Sequence, residues 1–254
     1  KMSFKTFPAI VRACGIAGFL AVSVTGCDLG SFLEVSDPSR LLADNVETPT
    51  QVGALMTGVE ADFICAFGSY VVVTADLGDE FEDTNGSGDA WSLDRRRPAA
   101  HNTWTSDDCT GLLGPYVPVS RARWVADNMT RLLESWTDAQ VASRQERIAR
   151  AQLLAGFSLY MLGAAHCSAA LDEGPELTSM QIFAEAESRF TKVLATAAGS
   201  SAIAHAARVG RARVRLYQGK LPEALADAQA VPAGFVMNVL PSNAPERMYN
   251  RVWQ

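Results

Sequence analysis

Apolar residues recur at helical spacing over most of the chain. Val52, Leu55, Met56, Val59, Phe63, Ile64 and Phe67 follow steps of three and four, which predicts an amphipathic helix opening at Thr48-Pro49. Tyr70-Val-Val-Val-Thr-Ala75 is β-branched and fits either a short strand or a continuation of that helix. The period is lost over 76–114, where Asp, Gly, Asn and Trp accumulate, so a loop-rich cap is expected from 68 to 114. It returns after Pro115, with Val119, Ala122, Val125, Ala126, Met129, Leu132 and Leu133 on one face. Thr137-Asp138 reads as the start of a helix running to about His166, and Thr178 as the start of another, with Phe183, Ala186, Phe190 and Leu194 on one stripe. Ser201 opens the next, through Tyr217; Gly219 stops it, and 221–230 begins one more.

The pattern predicts a mostly α fold of antiparallel helix pairs from about Pro115 to Ala230. Leu159-Tyr160-Met-Leu-Gly163 and Leu216-Tyr217-Gln-Gly219 both end a helix with an aromatic closely followed by Gly. Ala184-Glu-Ala186 and Pro222-Glu-Ala224 both open the partner helix with small residues. This resembles the tetratricopeptide pattern, in which small residues let two helices approach and aromatics fill the neighbouring groove. Ala151–Leu171 is uncharged for 21 residues, long enough to span a bilayer. Gln152, Ser158, His166 and Ser168 interrupt it, and its Ala and Gly content suits a buried helix.

The N-terminus has a different chemistry. Lys1, Lys5 and Arg12 precede twelve apolar residues, Ala13–Val24, too short to span a membrane and suited to a signal-peptide core. Val24-Thr-Gly-Cys27 then resembles the lipobox of bacterial lipoproteins. Cleavage there precedes the Cys, whose thiol carries a diacylglycerol, with fatty acyl chains such as palmitate. The expected organisation is a signal peptide over 1–26, a tether and extended lead-in over 27–50 with Pro38 and Pro49, and a helical domain over 51–254. Of five Cys, export and lipidation leave Cys65, Cys109 and Cys167 in an oxidising compartment. Three thiols allow one disulfide and one orphan; Cys65–Cys109 is favoured, because Cys109 lies in a loop and Cys167 ends a helix.

The formal charge is −6, and residues 27–254 alone carry 19 bases against 28 acids. That balance argues against a nucleic-acid partner, which needs clustered Lys and Arg. Enzymatic patterns are lacking: the three His are far apart, and no Gly-x-Ser-x-Gly, phosphate-loop or dinucleotide fingerprint occurs. Asp83, Asn85, Ser87, Asp89 and Asp94, with Gly88 in sixth place, mimic a calcium-binding loop, although Asp stands where a bidentate Glu is usual. The plain alternative is a Gly/Asp turn cluster. Trp91 and Trp104 lie in the irregular segment and are candidate stacking platforms or loop plugs. Arg95-Arg96-Arg97 reads as a solvated or ion-paired run.

The order of parts resembles the SusD/RagB family of outer-membrane, nutrient-binding lipoproteins. The resemblance rests on Cys27, Phe32-Leu-Glu-Val-Ser-Asp-Pro38, Tyr70 to Leu77-Gly-Asp-Glu-Phe81, Tyr116-Val-Pro-Val-Ser-Arg-Ala-Arg123, the repeat helices, and Phe235-Val-Met-Asn238 with Ser242-Asn243. It covers nearly the whole mature chain, and members of the family are longer, so it implies that this chain is an N-terminal portion. It also implies a surface-facing lipoprotein, lipid-anchored at the bacterial outer membrane. Such a protein captures a glycan or peptide for a partner TonB-dependent channel of the SusC type and performs no chemistry on it. The ligand surface expected on this chain is the 79–104 loop, with Trp91 and Trp104 as platforms and Asn85, Asp89 and Asn102 as polar contacts. The competing class is a repeat-helix scaffold lipoprotein that binds protein partners.

Overall fold

A computed structural model describes residues 43–82, 84, 92–97, 114–199 and 201–241. The chain divides into two units, Lys1–Asn45 and Val46–Gln254. The described residues hold seven α-helices and one two-stranded sheet. In chain order these are α1 (Ala43–Val46), α2 (Val52–Leu77), α3 (Tyr116–Ser135), α4 (Arg144–Ala165), β1 (Ser168–Ala170), β2 (Glu176–Thr178), α5 (Ser179–Thr196), α6 (Ala202–Tyr217) and α7 (Leu221–Gln229).

Local chemistry sets most helix ends. Thr48 precedes a 3-10 turn, Pro49–Gln51, that feeds directly into α2. Thr178 caps α5 through a reciprocal pair with Gln181, and the Ser201 hydroxyl accepts from the Ala204 N–H at the start of α6. Gly219, at φ +75°, ends α6 in the left-handed region.

Three expectations need correction. Of the two readings of Tyr70–Ala75 the helical continuation holds, so the irregular region begins at Gly78 rather than at 68. Val72 and Val73 are buried there, so packing overrides β-propensity. Secondly, α4 starts at Arg144, not at Thr137-Asp138. The Thr137 N–H and hydroxyl both donate to the Gln140 side-chain carbonyl, which imitates a helix cap but closes a single turn over buried Val141. Thirdly, the segment between α4 and α5 is an antiparallel hairpin, with Ser168 opposite Thr178. Its three-residue strands are too short to leave a period-2 signature. Arg123, buried on α3, holds the hairpin turn through two 2.7 Å bonds to Asp172.

Each helix from α2 to α7 packs on the next, and α4 also touches both α2 and α6. Contacts between α2 and α4 advance together: Glu60–Arg150, Phe63–Phe157, Tyr70–Tyr160. These two helices are therefore parallel. Between α5 and α6 the order reverses, with Thr191 bonded to Arg211 and Glu187 to Arg215, so this pair is antiparallel. Phe190 of α5, fully buried, sits in a notch made by two glycines. A Cβ at Gly156 would lie 2.7 Å from its ring and one at Gly210 2.3 Å away. By length and composition α2 and α4 could each cross a membrane, yet 78% of the apolar stretch of α4 is buried between its neighbours. That is the expected property of a core helix.

Candidate functional site

The parallel helices α2, α4 and α6 present one shared face. After Gly234, at φ +80°, the chain crosses it in extended form. Phe235, Met237 and Val239 point inward, half-buried, while Val236, Asn238 and Leu240 alternate outward. Between this segment and the helices remains a cavity of about 250 Å³.

Its walls are largely aromatic. Phe63 and Phe67 stack with ring centroids 6.3 Å apart, and Phe157 lies 6.5 Å from Phe63. Met161 and Val209 fill the gaps. The polar groups are few. Tyr70 and Tyr160 lie with ring centroids 6.5 Å apart, and burial raises the pKa of both phenols, so they stay neutral donors at physiological pH. The Arg213 guanidinium lies 5.2 Å from the centre of the Tyr160 ring. Among the described residues no carboxylate lines the cavity. Aromatic faces, two phenols and one cation suit an apolar body with a polar or anionic head. A second cleft, of about 520 Å³, is lined by Glu60, Glu146, Arg147 and Arg150, and there Glu60 and Arg150 bond each other at 3.1 Å.

Most residues singled out from the sequence lie outside the described part of the chain. This holds for Cys27, for Trp91, Trp104, Asn85, Asp89 and Asn102, and for Asp83 and Ser87 of the calcium pattern. Asp94 is described and half-buried. Among the described residues no group of three or more His, Cys, Asp or Glu converges as metal ligands would. The base of the loop is visible: Asp79 and Arg96, both left-handed, form an ion pair, and Leu93 is fully buried. Cys65 is buried and disulfide-bonded, whereas Cys167 is an exposed free thiol. The partner of Cys65, and Cys109 itself, lie outside the described residues.

Sequence reasoning missed the cavity. Tyr160 and Tyr217 drew attention only as marks of an internal repeat, yet their rings meet at 6.0 Å across α4 and α6. Phe235-Val-Met-Asn238 served only as a chain-order marker. The usable signal was its alternation after Pro232 and Gly234, at a point where helical spacing stops. No family model matches the chain, and no curated protein matches it.

Proposed function

We propose that the chain belongs to an exported lipoprotein, anchored through Cys27 to the bacterial outer membrane, that captures a nutrient for a TonB-dependent channel of the SusC type. In this reading α2/α3, α4/α5 and α6/α7 are tetratricopeptide-like pairs, and the protein binds its glycan or peptide without altering it. The lipobox and the order of parts along the chain support export and family. One structural observation carries the binding role. The stretch 80–95, which contains Asn85, Asp89 and Trp91, is bracketed by the Asp79–Arg96 ion pair and tethered to the helical unit by buried Leu93, which supports its use as a presented loop.

A panel of oligosaccharides and short peptides, titrated against the intact protein, tests this reading. Losing one stacked ring costs roughly 1 kcal/mol, so Trp91→Ala or Trp104→Ala should weaken binding about fivefold while the melting temperature holds. Parental affinity in both variants removes the loop from the site.

The scaffold reading has its own support in the extended segment on α2, α4 and α6, because a helix face that accepts one extended chain has the form of a polypeptide groove. A gene for a TonB-dependent channel beside this one favours capture; its absence favours the scaffold.

A further inference from the structure

None of the residues that line the cavity under the 235–239 segment comes from the 79–104 loop, and its chemistry is more specific than that of a general apolar gap. Arg211 and Arg215, on either side of Arg213 in α6, are both committed to acids. Arg211 forks onto Asp227 at 2.6 and 2.8 Å, and Arg215 bonds Glu187 and Asp227, each at 2.8 Å. Arg213 faces the other way, over Tyr160, and has no carboxylate partner among the described residues. A guanidinium beside aromatic walls and two neutral phenols is matched by a carboxylate joined to a hydrocarbon body. The volume sets the size. At about 250 Å³ the cavity falls just below the range of roughly 300–1,000 Å³ usual for larger ligands. It holds one ring with a short acidic tail and no oligosaccharide.

We propose that this cavity binds a small organic carboxylate carrying an aromatic or branched hydrocarbon group. The hydrocarbon packs against Phe63, Phe67 and Phe157, the carboxylate accepts from Arg213, and Phe235 and Met237 form the roof. Both a free aryl acid and the C-terminal residue of a peptide have this chemistry. The inference is independent of the capture reading, because the two sites share no residue.

The test is calorimetric titration of the intact protein with 3-phenylpropionate, its neutral amide 3-phenylpropanamide, and N-acetyl-phenylalanine. The acid should bind, and the amide about tenfold or more weakly, since a hydrogen bond to a charged group is at stake. Arg213→Gln should cost the acid a similar factor and leave the melting temperature unchanged, because the side chain is exposed. Val209→Trp, which fills the cavity from its rim, should abolish binding of both compounds. Binding of N-acetyl-phenylalanine at least as tight as that of 3-phenylpropionate assigns the site to peptide C-termini; its exclusion assigns the site to free acids. Equal affinity for acid and amide overturns the proposal. So does parental affinity in Arg213→Gln, or no heat from the acid up to about 10 mM, a concentration at which even millimolar sites fill.

Discussion

Replacing Gly210 by Ala sets two effects of opposite sign against each other. In a helix interior, Ala in place of Gly is worth about 0.8–1.0 kcal/mol of stabilisation. Here the new Cβ would stand 2.3 Å from Phe190 Cζ and 2.5 Å from Cε1. The ring has little room to retreat, because it is fully buried, with Phe157 at 5.0 Å and Gly156 on the α4 side. Overpacking costs about 1–3 kcal/mol, and a 2.3 Å overlap with a ring held on both sides falls in the upper part, about 2–3 kcal/mol, so the net loss should be about 1–2 kcal/mol. For a unit of this size that is a fall in melting temperature of roughly 2–8 °C, read by far-UV circular dichroism. Gly58→Ala supplies the control, since a Cβ at Gly58 in α2 meets nothing within 4 Å. It should raise the melting temperature by about 2–4 °C through propensity alone. In a Phe190→Leu background the penalty of Gly210→Ala should shrink, which measures the coupling directly. If Gly210→Ala stabilises as much as Gly58→Ala, the notch does not hold α5 between α4 and α6, and the packing account is wrong.

Three further outcomes follow from the ion pairs and thiols. Asp227→Ala removes the acid paired with Arg211 and one of the two paired with Arg215, which keeps Glu187, and should cost about 3 kcal/mol with early proteolysis at α7; an unchanged melt and digest would assign those bonds no role. Burial would raise the Glu187 carboxyl, but hydrogen bonds from Lys220 and Arg215 outweigh it and hold the group low, and hydrogen bonds from Arg123 do the same for Asp172 against burial. Both carboxyls therefore contribute fully above the ordinary carboxylate range, and lose that contribution as pH falls through their depressed folded values. The melting temperature should fall below about pH 4, less steeply in Glu187→Gln. In unreduced protein Cys167 should react with maleimide, while peptide mapping links Cys65 to Cys109; a linkage through Cys167 would contradict the free thiol.

The helices were legible where short-range chemistry fixes them. Thr178 with Gln181, Ser201, and Pro49 each mark a helix start in residues that are adjacent in sequence. The burial of α4 was legible too, from its Ala and Gly content and its polar interruptions. Tertiary effects were not. Tyr70–Ala75 carries strand propensity and becomes helix because Val72 and Val73 face the core. Thr137 and Gln140 carry cap chemistry, and whether the turn propagates depends on Val141 being drawn inward. The cavity draws on positions from 63 to 239, with nothing local to connect them. Arg213 stands out only once Arg211 and Arg215 are seen to be paired.

The proposed outer-membrane anchoring is tested most directly by purifying the tagged protein from detergent-solubilised outer membranes of the organism that encodes it. The proteins that accompany it are identified beside a Cys27→Ala control. The account predicts that the parent fractionates with the outer membrane, incorporates labelled palmitate, and brings down a TonB-dependent channel in stoichiometric amount. The Cys27→Ala protein should take up no label and leave the membrane fraction. A parent that is unlabelled, or that is recovered from the outer membrane without any such channel, contradicts it.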